Sequence, residues 1–402
     1  MRGIYVSFNF GLNSNLGKIL GAPYPFDVVD VNRKKAEKKF GMGFIIDFGI
    51  GDPTDPTPEV VRSALKLAAD ETKFLGYPNA LGTEKFLDAV RYYMKMRFNV
   101  TVSREEVIPT YGAKYASFHL PGYFLNPNKG EITLVPNPGY PPYADGTTLA
   151  GGIPYFLNIL EENDFQPDFE KIPGKILKKT KILFLNSPHS PTGKIYKKKK
   201  LKEAVDLCND NNIILVSDEC YADLYYEEPP ESILEVKGSE NCSLVLNSLS
   251  KRSMMTGYAV GFIASKNPDL LKPYAAVQRK SVQGVANVIQ YAAAAALEDD
   301  DHPKEMRRIY KERRDTLVPA LEDIGCNVKK PEGTFFVWAK VPEKTTPMAF
   351  SEKLLLEKGI NCVPGSLISQ TQDKVNPGER QVRFALVPGI ERIREAVKRL
   401  VI

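Results

Sequence analysis

Four short apolar runs, at residues 132–135, 182–185, 213–216 and 244–246, constrain this chain more than any other feature. Each is a handful of mostly aliphatic side chains with no sustained polar alternation, the pattern of a strand buried on both faces. Helical stretches separate most of them; Leu201, Val205 and Cys208, for instance, fall on one face of a helix over 201–209. Strand and helix in alternation specify the α/β class, with a central, mostly parallel sheet between helices. At 402 residues and 43% hydrophobic, the chain has the apolar material for a large core of this kind.

The polar residues that end these runs carry the chemistry. The run at 182–185 stops at Asn186, the one at 213–216 reaches Asp218, and the one at 244–246 leads into Ser248-Leu249-Ser250-Lys251. Open α/β sheets bind ligands beyond the carboxyl ends of their strands, so Asn186, Asp218 and Lys251 are expected on one edge. A lysine held there, away from bulk water, loses its proton more readily and attacks an aldehyde. On its own Lys251 would read as an exposed lysine beside Arg252. Two further turns join it. Gly49-Ile50-Gly51-Asp52-Pro53 lets backbone approach a ligand. Tyr111-Gly112-Ala113-Lys114 opens a helix, whose first N–H groups are free for an anion. A carboxylate, a lysine and an anion-binding helix start suit a phosphorylated aldehyde with a basic ring nitrogen, which is pyridoxal 5′-phosphate (PLP).

Elsewhere the pattern predicts a strand over 44–48 and a helix from Thr57-Pro58-Glu59 to about 70. A second helix is capped by Thr83 and faces inward through Phe86, Val90, Tyr93 and Met94. The last third mixes helices over 302–321, 350–358 and 390–400 with strands near 333–338, 362–365 and 382–386, a separate α+β unit. The expected division is an N-terminal segment of the small domain at 1–48, a large PLP-binding domain at 49–290, and the small C-terminal domain at 291–402.

Charge and composition exclude several classes. The net charge of +5 comes from 54 basic and 49 acidic side chains spread along the chain, so neither nucleic acid nor a membrane is an expected partner. The densest basic run, Lys197-Lys198-Lys199-Lys200, precedes the apolar face at Leu201 and opens a solvated helix. The five cysteines and three histidines show no metal-ligand spacing, so no metal is expected, and reduced thiols are the natural state. The first 20 residues contain no apolar signal core, and a cytoplasmic location is the resulting expectation.

Taken together, these residues resemble the class I/II aminotransferases, the aspartate-aminotransferase-like branch of fold type I PLP enzymes. The resemblance covers about residues 44–402. It rests on Gly76-Tyr77-Pro78, Tyr111-Gly112-Ala113-Lys114, Pro138-Gly139-Tyr140-Pro141, the stretch from Asn186 through Ser190-Pro191-Thr192-Gly193, Ser217-Asp218-Glu219-Cys220-Tyr221, and Ser248-Leu249-Ser250-Lys251, all in family order. It implies ping-pong transamination: an L-amino acid leaves its amine on PLP and a 2-oxo acid takes it away. Lys251 would form the internal aldimine and shuttle the proton. Asp218 would pair with the pyridine nitrogen and Tyr221 with the ring oxygen, while Tyr140 stacks on the ring. Gly112, Ala113 and Lys114 would present backbone N–H groups, and Ser248 its hydroxyl, to the phosphate. Asn186 and Ser190 would line the ring. Arg383, with Gly51 nearby, would take the substrate carboxylate. Tyr77 would reach the phosphate of a neighbouring subunit, which implies a homodimer with shared active sites. Read without the family, Asp218 is a helix-capping carboxylate, Tyr140 and Tyr221 are packing residues, and Arg383 is a surface strand arginine.

Two positions depart from the family pattern. Ser190 stands where an asparagine is usual, and Ala259 stands where an arginine usually clamps the phosphate. Arg252 is the expected substitute cation. The missing arginine also keeps open a PLP-dependent carbon–sulfur lyase, or another fold type I PLP enzyme. A catalytically weak regulatory protein is a further class, opposed by the intact set Lys251, Asp218, Tyr221 and Arg383. The turn motifs are similar to those of diaminopimelate-type and aspartate-type members.

Overall fold

The computed structural model of the chain describes residues 13–20, 25–71 and 76–401. Its strands, in chain order, are β1 (Ile46–Asp47), β2 (Val107–Thr110), β3 (Ile132–Asn137), β4 (Ile153–Asn158), β5 (Thr180–Asn186), β6 (Ile214–Asp218), β7 (Ser243–Ser248), β8 (Gly261–Ala264), β9 (Asn327–Val328), β10 (Phe336–Lys340), β11 (Ile360–Asn361), β12 (Val363–Pro364) and β13 (Gln381–Ala385). Seven of them form the large sheet in the order β2-β8-β7-β6-β5-β3-β4. The strands from β3 to β7 pair in parallel, while β8 runs antiparallel to both β7 and β2. The four apolar runs are therefore central strands, and apart from half-buried Ile214 their side chains have almost no exposed surface. Residues 249–260, between β7 and β8, hold only two one-turn helices, Leu249–Arg252 and Thr256–Tyr258, and no crossover helix that could carry the chain back for a parallel return, so β8 comes back antiparallel. Gly261 is required at that return, because a Cβ there would stand 2.2 Å from the Asn247 carbonyl oxygen.

Helices cover both faces. Thr83 Oγ1 accepts from the Phe86 amide and caps the helix Glu84–Phe98, which buries Phe86, Val90, Tyr93 and Met94. The helix Lys198–Asn211 buries Leu201, Val205 and Cys208 and leaves its first lysines in solvent. The expected division at 290 falls inside the helix Asn287–Glu298, whose residues Ala292, Ala293, Ala294, Ala296 and Leu297 belong to the core of the large sheet.

The second unit is a four-stranded antiparallel sheet, β12-β13-β10-β9, covered by the helices Asp301–Asp323, Pro347–Lys358 and Ile390–Val401. The chain's early segment joins it: β1 pairs in parallel with β11, and Ile46 and Phe48 lie in one core with Phe335, Phe384, Ile393 and Leu400. Of the N-terminal segment 1–48, residues 1–12 and 21–24 lie outside the described residues. The turn at Gly49 to Pro53 leaves this sheet and crosses to the large one, where Thr57 Oγ1 donates to the Met254 carbonyl. No described helix is long and apolar enough to cross a membrane.

Candidate active site

The parallel register brings the expected strand ends together. Asn186 pairs with Asp218 across β5 and β6, and Asp218 with Leu246 across β6 and β7. Beyond these ends a cavity of about 470 Å³ opens toward the second sheet. Its wall contains Lys251, Asp218, Tyr221, Gly112, Ala113, Lys114, Tyr140, Asn186, Ser190, Ser248, Gly51 and Arg383. Two expected residues stand apart, Arg252, described below, and Tyr77, which is 90% exposed and does not line this chain's cavity.

Lys251 sits in the one-turn helix Leu249–Arg252, which Ser248 caps by accepting from the Ser250 amide. Its amine donates to the Gly51 carbonyl at 2.8 Å and lies 5.3 Å from the Phe335 ring centroid. Burial pushes this amine below the ordinary lysine range, with Arg383 adding to the effect and Cys220 and Asp52 opposing it. A lysine so placed is more readily neutral, as a nucleophile and base must be.

Asp218 is the polar floor of the cavity, 2% exposed. Tyr143 donates to its Oδ2 at 2.6 Å, and the Cys220 amide to its Oδ1 at 3.1 Å. Burial raises its pKa, and the bonds from Tyr143 and Cys220 oppose the rise. The Tyr143 phenol is held protonated by its own burial, so it remains the donor. Both partners are neutral. A buried carboxylate served only by neutral donors suits a ligand that brings a cationic N–H, as a protonated pyridine does.

The remaining walls are held by short polar ties. Asn186 donates to the Asp218 carbonyl at 3.0 Å and accepts from the Ser190 amide at 2.7 Å, locking the loop that follows β5. In that loop buried His189 contacts Pro138 O through Nε2 and Thr192 Oγ1 through Nδ1, joining it to the turn that carries Tyr140. Burial lowers the His189 pKa to about 4, so this tie stays neutral. On the far side, Arg383 lies on β13, stacks 4.6 Å from the Phe336 ring centroid and donates to the Gly49 carbonyl at 2.7 Å. A Cβ on Gly51 would stand 2.7 Å from Phe336 Cζ, so only glycine passes there without a shift.

The phosphate end corrects one expectation. Arg252 does not line the cavity; it is 3% exposed and turned the other way, with Nε 3.0 Å from Asp223 Oδ2. A side chain that finds a buried carboxylate is not available to a ligand on the opposite side of its turn. The cavity instead adds Ser250, Thr256 and Tyr111 beside Gly112, Ala113, Lys114, Ser248 and Ala259. Sequence reasoning missed Ser250 and Thr256, although both lie within the Ser-Leu-Ser-Lys stretch and its return. It also missed Tyr143 and Cys220. The spacing of Tyr143 from Tyr140, at the start of the helix Pro141–Leu149, was the available signal. The donor set fits PLP: a cradle at the start of the helix Gly112–Phe124, a carboxylate floor and a depressed lysine between them.

Comparison with known proteins agrees with this geometry. Residues 44–400 match the family model for aminotransferase class I and II. The LL-diaminopimelate aminotransferase of Aquifex aeolicus is 36% identical over 379 residues, covering 94% of this chain and 96% of that protein. Substrate-bound BacF from Bacillus subtilis superposes with a TM-score of 0.89 at 34% identity, covering 97% of each chain. An aminotransferase from Neisseria meningitidis gives a TM-score of 0.89 at 30% identity, covering 97% of this chain and 99% of the other. With strand-end chemistry, fold and sequence in agreement, this chain belongs to the class I and II aminotransferases and is a PLP-dependent transaminase.

Proposed function

We propose that Lys251 carries the reaction, transferring an amino group between an L-amino acid and a 2-oxo acid, with LL-diaminopimelate as the amino donor. The observation that carries this is the placement of the Lys251 amine and the Asp218 carboxylate in one cavity at adjacent strand ends. Bound PLP supplies an electron sink for the electron pair of the substrate Cα–H bond. The side chains do the rest. Lys251 Nζ takes the proton from Cα and returns it, work for which its depressed pKa suits it. Asp218 would hold the ring nitrogen protonated, Tyr143 orients Asp218 through its hydrogen bond, and Tyr221 and Tyr140 would line the space for the ring. Arg383 exchanges its bond to the Gly49 carbonyl for a charge-assisted pair to the substrate carboxylate.

The donor rests on the curated relatives, which are named LL-diaminopimelate aminotransferases. A screen of LL-diaminopimelate, aspartate, glutamate and alanine with 2-oxoglutarate tests it; turnover of LL-diaminopimelate no faster than alanine would rule this donor out. The lyase alternative is not favoured, since the relatives are aminotransferases, and release of pyruvate from cystathionine without a 2-oxo acid would be its mark. We place Tyr77 at the phosphate of a second copy, in a homodimer with shared sites. Its 90% exposure leaves it available for that contact. Sedimentation of the active protein as a monomer would remove that role.

Ala259 gives a third expected result. It is exposed on the cavity wall, so an arginine there has space. With Arg252 committed to Asp223, the phosphate is left to the backbone N–H groups of the helix start, the hydroxyls of Ser248, Ser250 and Thr256, and Lys114. A charged hydrogen bond contributes about 1.5–3 kcal/mol, so Ala259→Arg should tighten PLP on the order of tenfold or more. It should also raise the melting temperature at limiting PLP. Equilibrium dialysis checks it; unchanged affinity would mean that Lys114 already neutralises the phosphate.

A further inference from the structure

The two residues that follow Lys251 are gripped by a polar cluster that the chemistry above does not use. Arg252 donates through Nη1 to His302 Nε2 at 3.2 Å, and through Nη2 to the Asp299 carbonyl at 3.0 Å. Ser253, with no exposed surface, places its hydroxyl 2.9 Å from the same His302 Nε2. The other ring nitrogen, Nδ1, stands 2.7 Å from Asp299 Oδ2. A guanidinium only donates, so Nε2 must offer a lone pair, and the ring hydrogen sits on Nδ1 and points at Asp299. Ser253, His302 and Asp299 have the connectivity of a hydrolytic triad. That role is closed to them, because Ser253 is sealed from solvent and Nε2 is already occupied by Arg252.

We propose that neutral His302, oriented by Asp299, is a positioning residue for Lys251: it fixes the turn that aims the lysine amine into the cavity, and protonation of the ring releases that turn. A proton on Nε2 takes away the lone pair that faces Arg252, reverses the bond to the Ser253 hydroxyl, and places a second cation 3.2 Å from a guanidinium that is left with the Ala296 and Asp299 carbonyls. The charged groups facing the ring are Arg252 from the turn after β7, Asp299 from the end of the helix Asn287–Glu298, and Asp223, beyond Arg252, from the segment after β6. Burial, then Arg252, holds the ring below the ordinary histidine value of 6.5; the two carboxylates oppose them and are outweighed. A folded ring that binds its proton more weakly than the unfolded one loses stability as pH falls from about 6.5 through its lowered folded value. The inference rests on the assignment of Lys251, which borohydride trapping tests separately.

The experiment compares wild type with two variants. His302→Gln keeps an acceptor near the position of Nε2 but does not titrate, and His302→Phe removes the acceptor. In cofactor-free protein, melting temperatures are measured from pH 8 to pH 5. Wild type should fall relative to His302→Gln by about 2 °C or more across that range. In the PLP-loaded enzyme, His302→Phe should move the apparent pKa of the visible chromophore by about half a unit or more. It should also lower kcat about tenfold with little change in KM, while His302→Gln stays near wild type in both. Equal pH slopes for wild type and His302→Gln overturn the proposal, as does a folded His302→Phe with wild-type chromophore pKa and kcat. Should His302→Phe fail to fold, the His302→Gln slope decides alone. The melting comparison needs no cofactor, so its result stands whether or not Lys251 is the trapped residue.

Discussion

Lys251→Ala is expected to lower transamination on the order of 10⁴-fold, because it removes both the attachment point and the proton carrier, and general acid–base catalysis alone contributes about 10²–10⁴-fold. The protein should remain folded. The side chain is partly exposed, and its amine donates to the Gly51 carbonyl, a bond at the cavity wall that the large sheet does not depend on. Borohydride reduction of PLP-loaded wild type, followed by peptide mapping, should place the pyridoxyl label on Lys251 and leave the variant unlabelled. A variant that keeps more than a few per cent of activity, or a label on another lysine such as Lys114, would remove Lys251 from its role. The pH dependence has a definite sign. The folded environment disfavours the charged amine, so the free base persists to lower pH than the ordinary value of 10.5 allows and is lost only as pH falls through the lowered value.

Asp218→Asn is the second large effect. The substitution keeps the shape and a partner for Tyr143 but removes the charge that would hold the pyridine nitrogen protonated. A loss of about 10²–10³ in kcat is expected, the size seen when one preorganised electrostatic partner is removed. Stability should move the other way. Burial raises the folded pKa of Asp218 above its ordinary 3.8, so its charged form opposes folding once pH rises through the folded value. Asparagine has no such charge, and the cofactor-free variant should melt no lower than wild type at pH 7. Calorimetry without PLP, set beside kcat with saturating PLP, separates the two. A variant that loses activity only in proportion to lost folded protein would reduce Asp218 to a structural role.

Legibility followed physical reach. Asn186, Asp218 and Ser248 were readable because each closes an unbroken apolar run, and a strand's end is where its backbone must deliver a side chain to an edge. β4 was not readable: it is an edge strand with half-exposed side chains, and Pro154 within it argues against a strand. β8 is four residues long and enters from a left-handed Ala259, which local pattern does not announce. Arg252 was misassigned because the direction of a side chain in a tight turn is decided by what lies across from it, here Asp223 and His302 from distant segments. Tyr143 shows the same limit, since periodicity gives the face of a helix and not the carboxylate it meets.

The pairing of β1 with β11 also bears on synthesis. Asp47 and Asn361, joined by a side-chain hydrogen bond, are 314 residues apart in the chain. A ribosome adding about 5–20 residues per second needs roughly 15–60 s to cover that interval. For that time the large sheet can assemble from its own contiguous strands, while Ile46 and Phe48 wait in solvent without the core that later buries them completely or nearly so. The segment made before the large sheet is thus folded after it, and the arginine-bearing half of the site closes only once β11 and β13 have followed.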